Sequence, residues 1–425
     1  MAGTEELYEH FLKSGIICTD SRSVAAGSIF FALKGENFDG NKFANDALRK
    51  GAALAVVDDP SLKDQPGLFR VDNVLSGLQA LARHHRETLK IPIIGLTGSN
   101  GKTTTKELLR EVLKKKYNVH ATPGNLNNHI GVPVSLLGVT KQTEIAVIEM
   151  GANHIGEIAD LCSIARPTHG LITNIGKAHL EGFGDYDGVI RAKSELYDFI
   201  RENGGDVFVN ADDALLMELS EQLTRYTYGK TSEAGTKGNI LSSVPALDIR
   251  FNGNNIKTRL YGDYNFWNIM ASICIGSYFG VNATAIKEAI SSYKPTNNRS
   301  QVIIKGSNTI FLDAYNANPT SMQAAIEQFM MQEAGKKVFI LGDMLELGDF
   351  SHEEHHKVIS ALQALDAQII LVGKEFSKAL KGRQDSCFSN TDEASAWLVK
   401  NPIRDAHILV KGSRGIALEK LLDYL

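Results

Sequence analysis

Residues 91–106 read Ile91-Pro92-Ile93-Ile94-Gly95-Leu96-Thr97-Gly98-Ser99-Asn100-Gly101-Lys102-Thr103-Thr104-Thr105-Lys106. An apolar run that enters a glycine turn, followed by a helical pattern over 103–116, predicts a buried parallel strand, a loop and a helix in succession. The glycines among Thr97, Gly98, Ser99, Asn100, Gly101, Lys102, Thr103 and Thr104 stand where backbone N–H groups turn inward around phosphate oxygens. In such a P-loop the Lys102 ammonium lies across the β- and γ-phosphates and the Thr103 hydroxyl ligates Mg²⁺. The first glycine is displaced from the strict pattern: Leu96 occupies that position and Gly95 precedes it. A plain glycine turn seldom supplies Gly-Lys-Thr directly after an apolar strand, so the stretch points to ATP or GTP.

Working outward, strands are expected at 145–149, 170–173 and 207–209, each followed by a turn and a helical pattern. That alternation argues for a doubly wound parallel sheet whose ligands sit at the carboxyl ends of the strands. The stretch 230–260 is rich in Gly, Ser and Asn and reads as hairpins or a peripheral sheet. A new βαβ series opens near 298, with strands at 309–312, 337–341, 368–372 and 407–410. Before the P-loop, short apolar runs at 29–33 and 54–57 alternate with turns. The fold class is therefore α/β in three domains. A small α/β domain over 1–90 precedes a central P-loop domain over 91–297 with a doubly wound, mostly parallel sheet. A Rossmann-like domain over 298–425 follows.

A chain of 425 residues exceeds one hydrophobic core, in keeping with that division. Its 45 basic and 49 acidic side chains give a net charge of −4, so nucleic acid is not an expected partner. The run Lys114-Lys115-Lys116 closes the predicted P-loop helix, where it complements the dipole. The four cysteines are scattered without metal spacing and read as buried hydrophobes of a reducing compartment. The N-terminus carries no secretory pattern, and no run of about 18 apolar residues is present, so no membrane association is expected. The location expected is the cytoplasm.

Mg²⁺ needs oxygen ligands beyond one hydroxyl and phosphate. Glu149 closes an apolar run and suits that role, although a strand-end glutamate can also be plain surface. His179 follows another strand and turn on the same expected side, where an ordinary core or surface histidine is the alternative. His352-Glu353-Glu354-His355-His356 places His352 and His356 at i, i+4, the histidine spacing of the H-E-x-x-H zinc order. It reads as the solvated face of an amphipathic helix over 353–364.

Taken together, these segments resemble the Mur ligase superfamily, ATP-dependent amide-forming enzymes of peptidoglycan precursor synthesis. The stretch 97–104, displaced glycine included, is similar to their P-loop, and Gly124-Asn125-Leu126-Asn127-Asn128-His129-Ile130-Gly131-Val132-Pro133 to their substrate loop. Glu149-Met150-Gly151-Ala152 and Thr173-Asn174-Ile175-Gly176-Lys177-Ala178-His179-Leu180-Glu181 look like the two metal-bearing segments. Asp20-Ser21-Arg22 with 27–35 looks like the uridine-nucleotide domain. Segments 313–322, 341–348 and 410–414 resemble one particular member, so the likeness spans nearly the whole chain.

The resemblance implies ATP and Mg²⁺ as cofactors, a monomeric enzyme, and UDP-N-acetylmuramoyl-tripeptide and D-alanyl-D-alanine as partners. A peptide carboxylate would be activated as an acyl phosphate and then attacked by an amine. Lys102, Glu149, His179 and Lys193 would be catalytic. Thr103, Glu149, His179 and Lys193 would surround the metal, Lys193 as a carbamate. Without the resemblance Lys193 reads as a helix-surface lysine. Asn268 would face the adenine, Arg299 the phosphates and Asp313 the ribose. Position 263 is Asp where relatives commonly carry His. Asn265 and Asn268, spaced i, i+3, also suit a helix cap. Ser21, Arg22, Asn125, Asn128 and Arg191 would contact the nucleotide-sugar peptide, and Tyr315, Asn316 and Asn318 the incoming dipeptide. Turn chemistry is the alternative for the last three. Two other functions compete: an amide ligase of the folylpolyglutamate synthase type, which lacks the Asp20-Ser21-Arg22 domain, and a nucleotide-regulated binding protein without turnover.

Overall fold

The computed structural model describes residues 2–333, 335–363, 365–380 and 386–425. Its strands form three main sheets of four, nine and six strands, and one short hairpin. The four-stranded sheet joins Ile17–Cys18, Ile29–Phe31, Leu54–Val57 and Leu68–Arg70, all parallel.

In the nine-stranded sheet the strand Ile93–Thr97 lies between His169–Ile172 and Ile145–Glu149, parallel to both. All three strands are buried along their length, the reason they read as unbroken apolar runs. The chain first adds Val119–Ala121 and Ile145–Glu149 on one side of Ile93–Thr97, then His169–Ile172 on the other. The winding reverses there, and such a switch point leaves an open crevice at the carboxyl ends. Thr97, Glu149 and Thr173 stand at that crevice.

The stretch 230–260 extends this sheet rather than standing apart. Thr236–Ser242 pairs parallel with Thr224–Gly229, and Asp248–Phe251 and Asn254–Lys257 follow antiparallel. The last turn uses Asn252 and Gly253 at φ 46° and 74°, the left-handed pair a tight hairpin needs. The P-loop helix spans Lys102–Leu113, shorter than expected. Lys116 lies beyond it, its Nζ 3.1 Å from the Phe279 and Gly280 carbonyls. This helix packs on Asn265–Tyr278, a helix buried on nearly every face.

Helix Val74–Thr88 packs both on Gly131–Leu137 and on Glu157–Ala165. Its Arg86 Nη2 donates to the Arg166 carbonyl at 2.9 Å, and His85 Nε2 to that of Val139 at 2.9 Å. The seam near residue 90 is thus closed by packing and buried hydrogen bonds. The six-stranded sheet begins with Gln301–Lys305, antiparallel to Asn308–Asp313. It continues in parallel through His407–Lys411, Lys337–Gly342, Gln368–Val372 and Ser386–Phe388. The linker into it carries Asn297, Asn298 and Ser300 at φ 60°, 57° and 48°.

One expectation holds only in part. In the helix Ser351–Leu362, His352, Glu353 and His356 are exposed, but His355 is fully buried and Glu354 nearly so. His355 Nδ1 donates to the Ser351 carbonyl at 2.7 Å, and Nε2 accepts the Met344 N–H at 3.0 Å. Its ring stands edge-on to Phe376 at 4.6 Å. A polar side chain that satisfies both ring nitrogens can lie inside, which a hydropathy pattern does not register.

Candidate active site

The P-loop is tied into the neighbouring strand end from both sides. Ser99 Oγ donates to the Gly176 carbonyl at 3.0 Å, Thr173 Oγ1 to the Asn100 carbonyl at 2.6 Å, and Asn174 Nδ2 to the same oxygen at 2.9 Å. Thr97 Oγ1 donates to the Met150 carbonyl at 2.8 Å from beneath. Gly98 and Gly101 adopt φ 140° and 79°; a Cβ would drive the first into Thr173 Oγ1 and the second into Asn268 Oδ1. Both glycines are therefore required by conformation and by space. Lys102 folds back, its Nζ 2.5 Å from the Gly98 carbonyl, and burial lowers its ammonium to about 8. Glu149 opposes that fall, while the Arg299 charge adds to it.

Thr103 Oγ1 donates to Glu149 Oε1 at 3.1 Å, and Asn127 Nδ2 donates to the same oxygen at 2.8 Å. Glu149 is 1% exposed, and its Oε2 is buried without a hydrogen-bond partner. The closest cation to that oxygen is Lys106 Nζ at 3.5 Å, which also donates to the Gly124 carbonyl at 2.8 Å. His179 sits in the left-handed region at φ 52°, at the mouth of the same crevice. Its Nδ1 meets Glu346 Oε2 at 2.5 Å, an ion-pair contact rather than an aligned hydrogen bond. The imidazole beside it holds the Glu346 carboxyl below the usual carboxylate range.

Lys193 lies inside helix Tyr186–Asn203, 1% exposed, 3.5 Å from the Ala152 carbonyl and 5.1 Å from the centre of the Phe183 ring. Burial first, and then the Lys102 charge, lower its ammonium to about 7. A surface lysine would show neither property. Among the described residues no three His, Cys, Asp or Glu side chains converge as a ready-made metal site.

Lys102, Thr103, Glu149 and His179 face a cavity of about 820 Å³ whose far wall comes from the C-terminal unit. Ser99–Thr104, Asn125, Asn128, Glu149, His179 and Asn268 line one side, and Arg299, Asp313, Tyr315, Asn316 and Asn318 the other. Arg299 stacks its guanidinium 3.5 Å over the Tyr315 ring, leaving its Nε buried and unpartnered. Asp313 pairs with the buried Lys411 at 2.6 Å. Asn318 Nδ2 bridges the gap to Asn100 Oδ1 at 2.8 Å and also caps its own helix through Ser321. Asn268 accepts from Thr105 Oγ1 at 3.1 Å and donates to Asn265 at 2.9 Å, so it braces the two helices as well as lining the cavity. Asp263 keeps one buried carboxylate oxygen without a partner.

Four of the expected catalytic and substrate-binding residues do not line this cavity: Ser21, Arg22, Arg191 and the buried Lys193. Ser21 and Arg22 sit in a turn of the N-terminal unit, Arg22 paired with Asp20 at 2.7 Å. Arg191 is exposed on the face of its helix away from buried Lys193, because two residues correspond to about 200° of rotation. Conversely, Lys106, Asn127 and Glu346 join the site without having been singled out. Lys106 follows Lys102 at i, i+4, the one local signal that could have found it.

Fold and site together define a P-loop ATP-dependent ligase in which two α/β units face one cavity. Family models match in sequence order: a Mur ligase family catalytic domain over 14–97, the Mur ligase middle domain over 96–276, and a Mur ligase glutamate ligase domain over 298–414. The chain belongs to the Mur ligase family. It is 36% identical to the UDP-N-acetylmuramoyl-tripeptide–D-alanyl-D-alanine ligase of Bacillus subtilis, over 98% of this chain and 94% of that protein. The Escherichia coli ligase of the same name is 34% identical over 96% and 93%. Among solved structures, MurF from Acinetobacter baumannii superposes with a TM-score of 0.86 at 33% identity, covering 96% of this chain and 92% of that one. MurF from Thermotoga maritima in complex with ADP gives 0.84 at 29% identity, covering 97% of each. Among the described residues no helix is long and apolar enough to cross a membrane.

Proposed function

We propose that this chain joins D-alanyl-D-alanine to UDP-N-acetylmuramoyl-tripeptide, converting ATP to ADP and phosphate and yielding UDP-N-acetylmuramoyl-pentapeptide for peptidoglycan. The observation that carries the reading is the shared cavity: the P-loop with Glu149 and His179 on one wall, Arg299, Asp313 and Tyr315 to Asn318 on the other. In this reading residues 1–90 hold the uridine nucleotide with Ser21 and Arg22. Residues 91–297 bind ATP, and 298–425 take the dipeptide and close over the nucleotide. The enzyme works as a monomer in the cytoplasm, without nucleic acid or membrane.

A carboxylate is a poor electrophile, so its oxygen first attacks the γ-phosphorus and the bond to ADP breaks. The dipeptide amine then attacks the acyl carbon, phosphate leaves with the C–O electron pair, and the nitrogen loses a proton. Two anions must approach one another in the first step, and preorganised cations lower that barrier most. Lys102 and Arg299 supply fixed positive charge to the phosphates, Arg299 with a planar fork suited to them. Asn316 and Asn318 offer neutral amides to the dipeptide, adding no charge to an anionic site.

The donor set fits Mg²⁺. The Thr103 hydroxyl and the Glu149 carboxylate are hard oxygen donors, and the buried Glu149 Oε2, which makes no hydrogen bond and has Lys106 Nζ 3.5 Å away, would ligate. Glu149 and His179 would stand around a second ion, and a carbamate on Lys193 would orient the metal site. Bound there, Mg²⁺ would screen the phosphate from the carboxylate. A bare ammonium at Lys193 is buried and makes no ion pair among the described residues, and a carbamate would turn that cation into a carboxylate-like ligand.

The test is phosphate release with ATP, UDP-linked tripeptides ending in lysine or diaminopimelate, and a panel of amine acceptors. Turnover that requires D-alanyl-D-alanine supports the reading. No turnover with any acceptor would sink it, and folate-dependent turnover would favour the folylpolyglutamate synthase type.

A further inference from the structure

Glu346 belongs to the C-terminal unit, yet its Oε2 lies 2.5 Å from Nδ1 of His179 on the central unit. The contact is supported on both sides of it. The Glu181 N–H donates to the Glu346 carbonyl at 3.3 Å, and Gly348 sits so close to Glu181 that a Cβ would come within 3.3 Å of it. Lys177 Nζ reaches Glu354 at 3.6 Å, and the Lys177 N–H donates to Thr320 Oγ1 at 3.1 Å. Glu346 itself holds φ 63°, a conformation that a non-glycine residue keeps only where its surroundings impose it. Its side chain is half exposed, so nothing in the core depends on it.

We propose that Glu346 is a positioning residue that orients the His179 imidazole from across the domain seam, so that the histidine is set only when the C-terminal unit is docked. A carboxylate held 2.5 Å from Nδ1 restricts how the ring can turn and leaves Nε2 as the nitrogen able to ligate. Docking would then couple the acceptor-binding unit to the metal end of the P-loop, through a single side chain. The inference rests on the role proposed above for His179.

The experiment uses the enzyme in five forms: wild type, Glu346→Ala, Glu346→Gln, His179→Ala and the Glu346→Ala/His179→Ala double variant. Glu346→Ala is expected to lower kcat by roughly 10- to 100-fold and to raise the Mg²⁺ needed for half-maximal rate. The KM for D-alanyl-D-alanine should change less than about twofold. Glu346→Gln, which keeps an acceptor oxygen, should recover much of the loss. Hydrogen exchange of the 177–183 amides should quicken in Glu346→Ala. In the His179→Ala background, Glu346→Ala should add less than about twofold, since one residue acts through the other. Multiplicative losses in the double variant would overturn the positioning role alone. So would a Glu346→Gln enzyme as impaired as Glu346→Ala with unchanged exchange at 177–183. Wild-type turnover in His179→Ala would sink the assignment of His179, and this inference with it.

Discussion

Thr103 donates its hydroxyl hydrogen bond to Glu149 at 3.1 Å, across the crevice between the P-loop helix and the end of a neighbouring strand. The two groups expected to hold a cation thus stand side by side at the cavity wall. The second carboxylate oxygen stays buried without a hydrogen bond, an arrangement that costs free energy unless something else satisfies it.

Removing either partner should therefore weaken metal-dependent turnover more than folding. Thr103→Val and Glu149→Gln are each expected to slow phosphate release by roughly 10- to 100-fold and to raise the Mg²⁺ requirement. A Mg²⁺ titration of the rate for each variant checks this. Unchanged half-saturation in both would remove them from the metal site.

The cradle glycines admit no side chain. Gly98→Ala would force a φ of 140° on an L-residue and collide with Thr173 Oγ1. The variant should lose more than about 1 kcal/mol of stability and most of its ATP affinity. Calorimetric ATP binding next to a urea melt reads both. Wild-type ATP affinity would mean the loop is not the phosphate cradle.

Lys193 is buried, its ammonium is lowered to about 7, and it makes no ion pair among the described residues. Burial thus favours the uncharged amine, the form that reacts with carbon dioxide. Lys193→Ala should be slower by about 100-fold and regain activity with added formate or acetate, which replace the missing anion. Rates like the wild type without added acid would contradict the carbamate.

Burial pushes the His355 imidazole below its ordinary value, and the neutral ring accepts the Met344 N–H. The native state therefore resists a proton that the unfolded chain accepts below about pH 6.5. The sign follows: this stability is present above that pH and is lost as pH falls toward the lowered folded value. His355→Ala should reduce the urea midpoint by the equivalent of about 1–3 kcal/mol, because the Met344 N–H is left unsatisfied. Its midpoint should also depend less on pH between about 6.5 and 5 than that of the wild type. An unaltered pH dependence would show that His355 does not titrate with unfolding.

Much of the architecture was local information. The runs 145–149 and 368–372 emerged as strands with those same ends, because a strand packed on both faces carries consecutive apolar residues rather than an alternating pattern. The P-loop was equally plain, since its chemistry needs particular residues at fixed spacing, and spacing is what a sequence records. The hairpins of 230–260 were visible as turns, but not that they would extend the central sheet.

What required the tertiary structure was which side chain meets which. Two residues along a helix turn by about 200°, so Arg191 faces solvent while Lys193 is sealed inside. His355 reads as surface until Met344 and Ser351 are seen to satisfy it. Glu149 is bound by Asn127, 22 residues away, and Glu346 reaches His179 from a different sheet system. The amino-acid sequence by itself specified the elements, the phosphate loop and the family, because each depends on short-range pattern. The pairing of Glu149 with Lys106 and Asn127, and of His179 with Glu346, was decided only by folding, since such contacts depend on where distant segments are packed together.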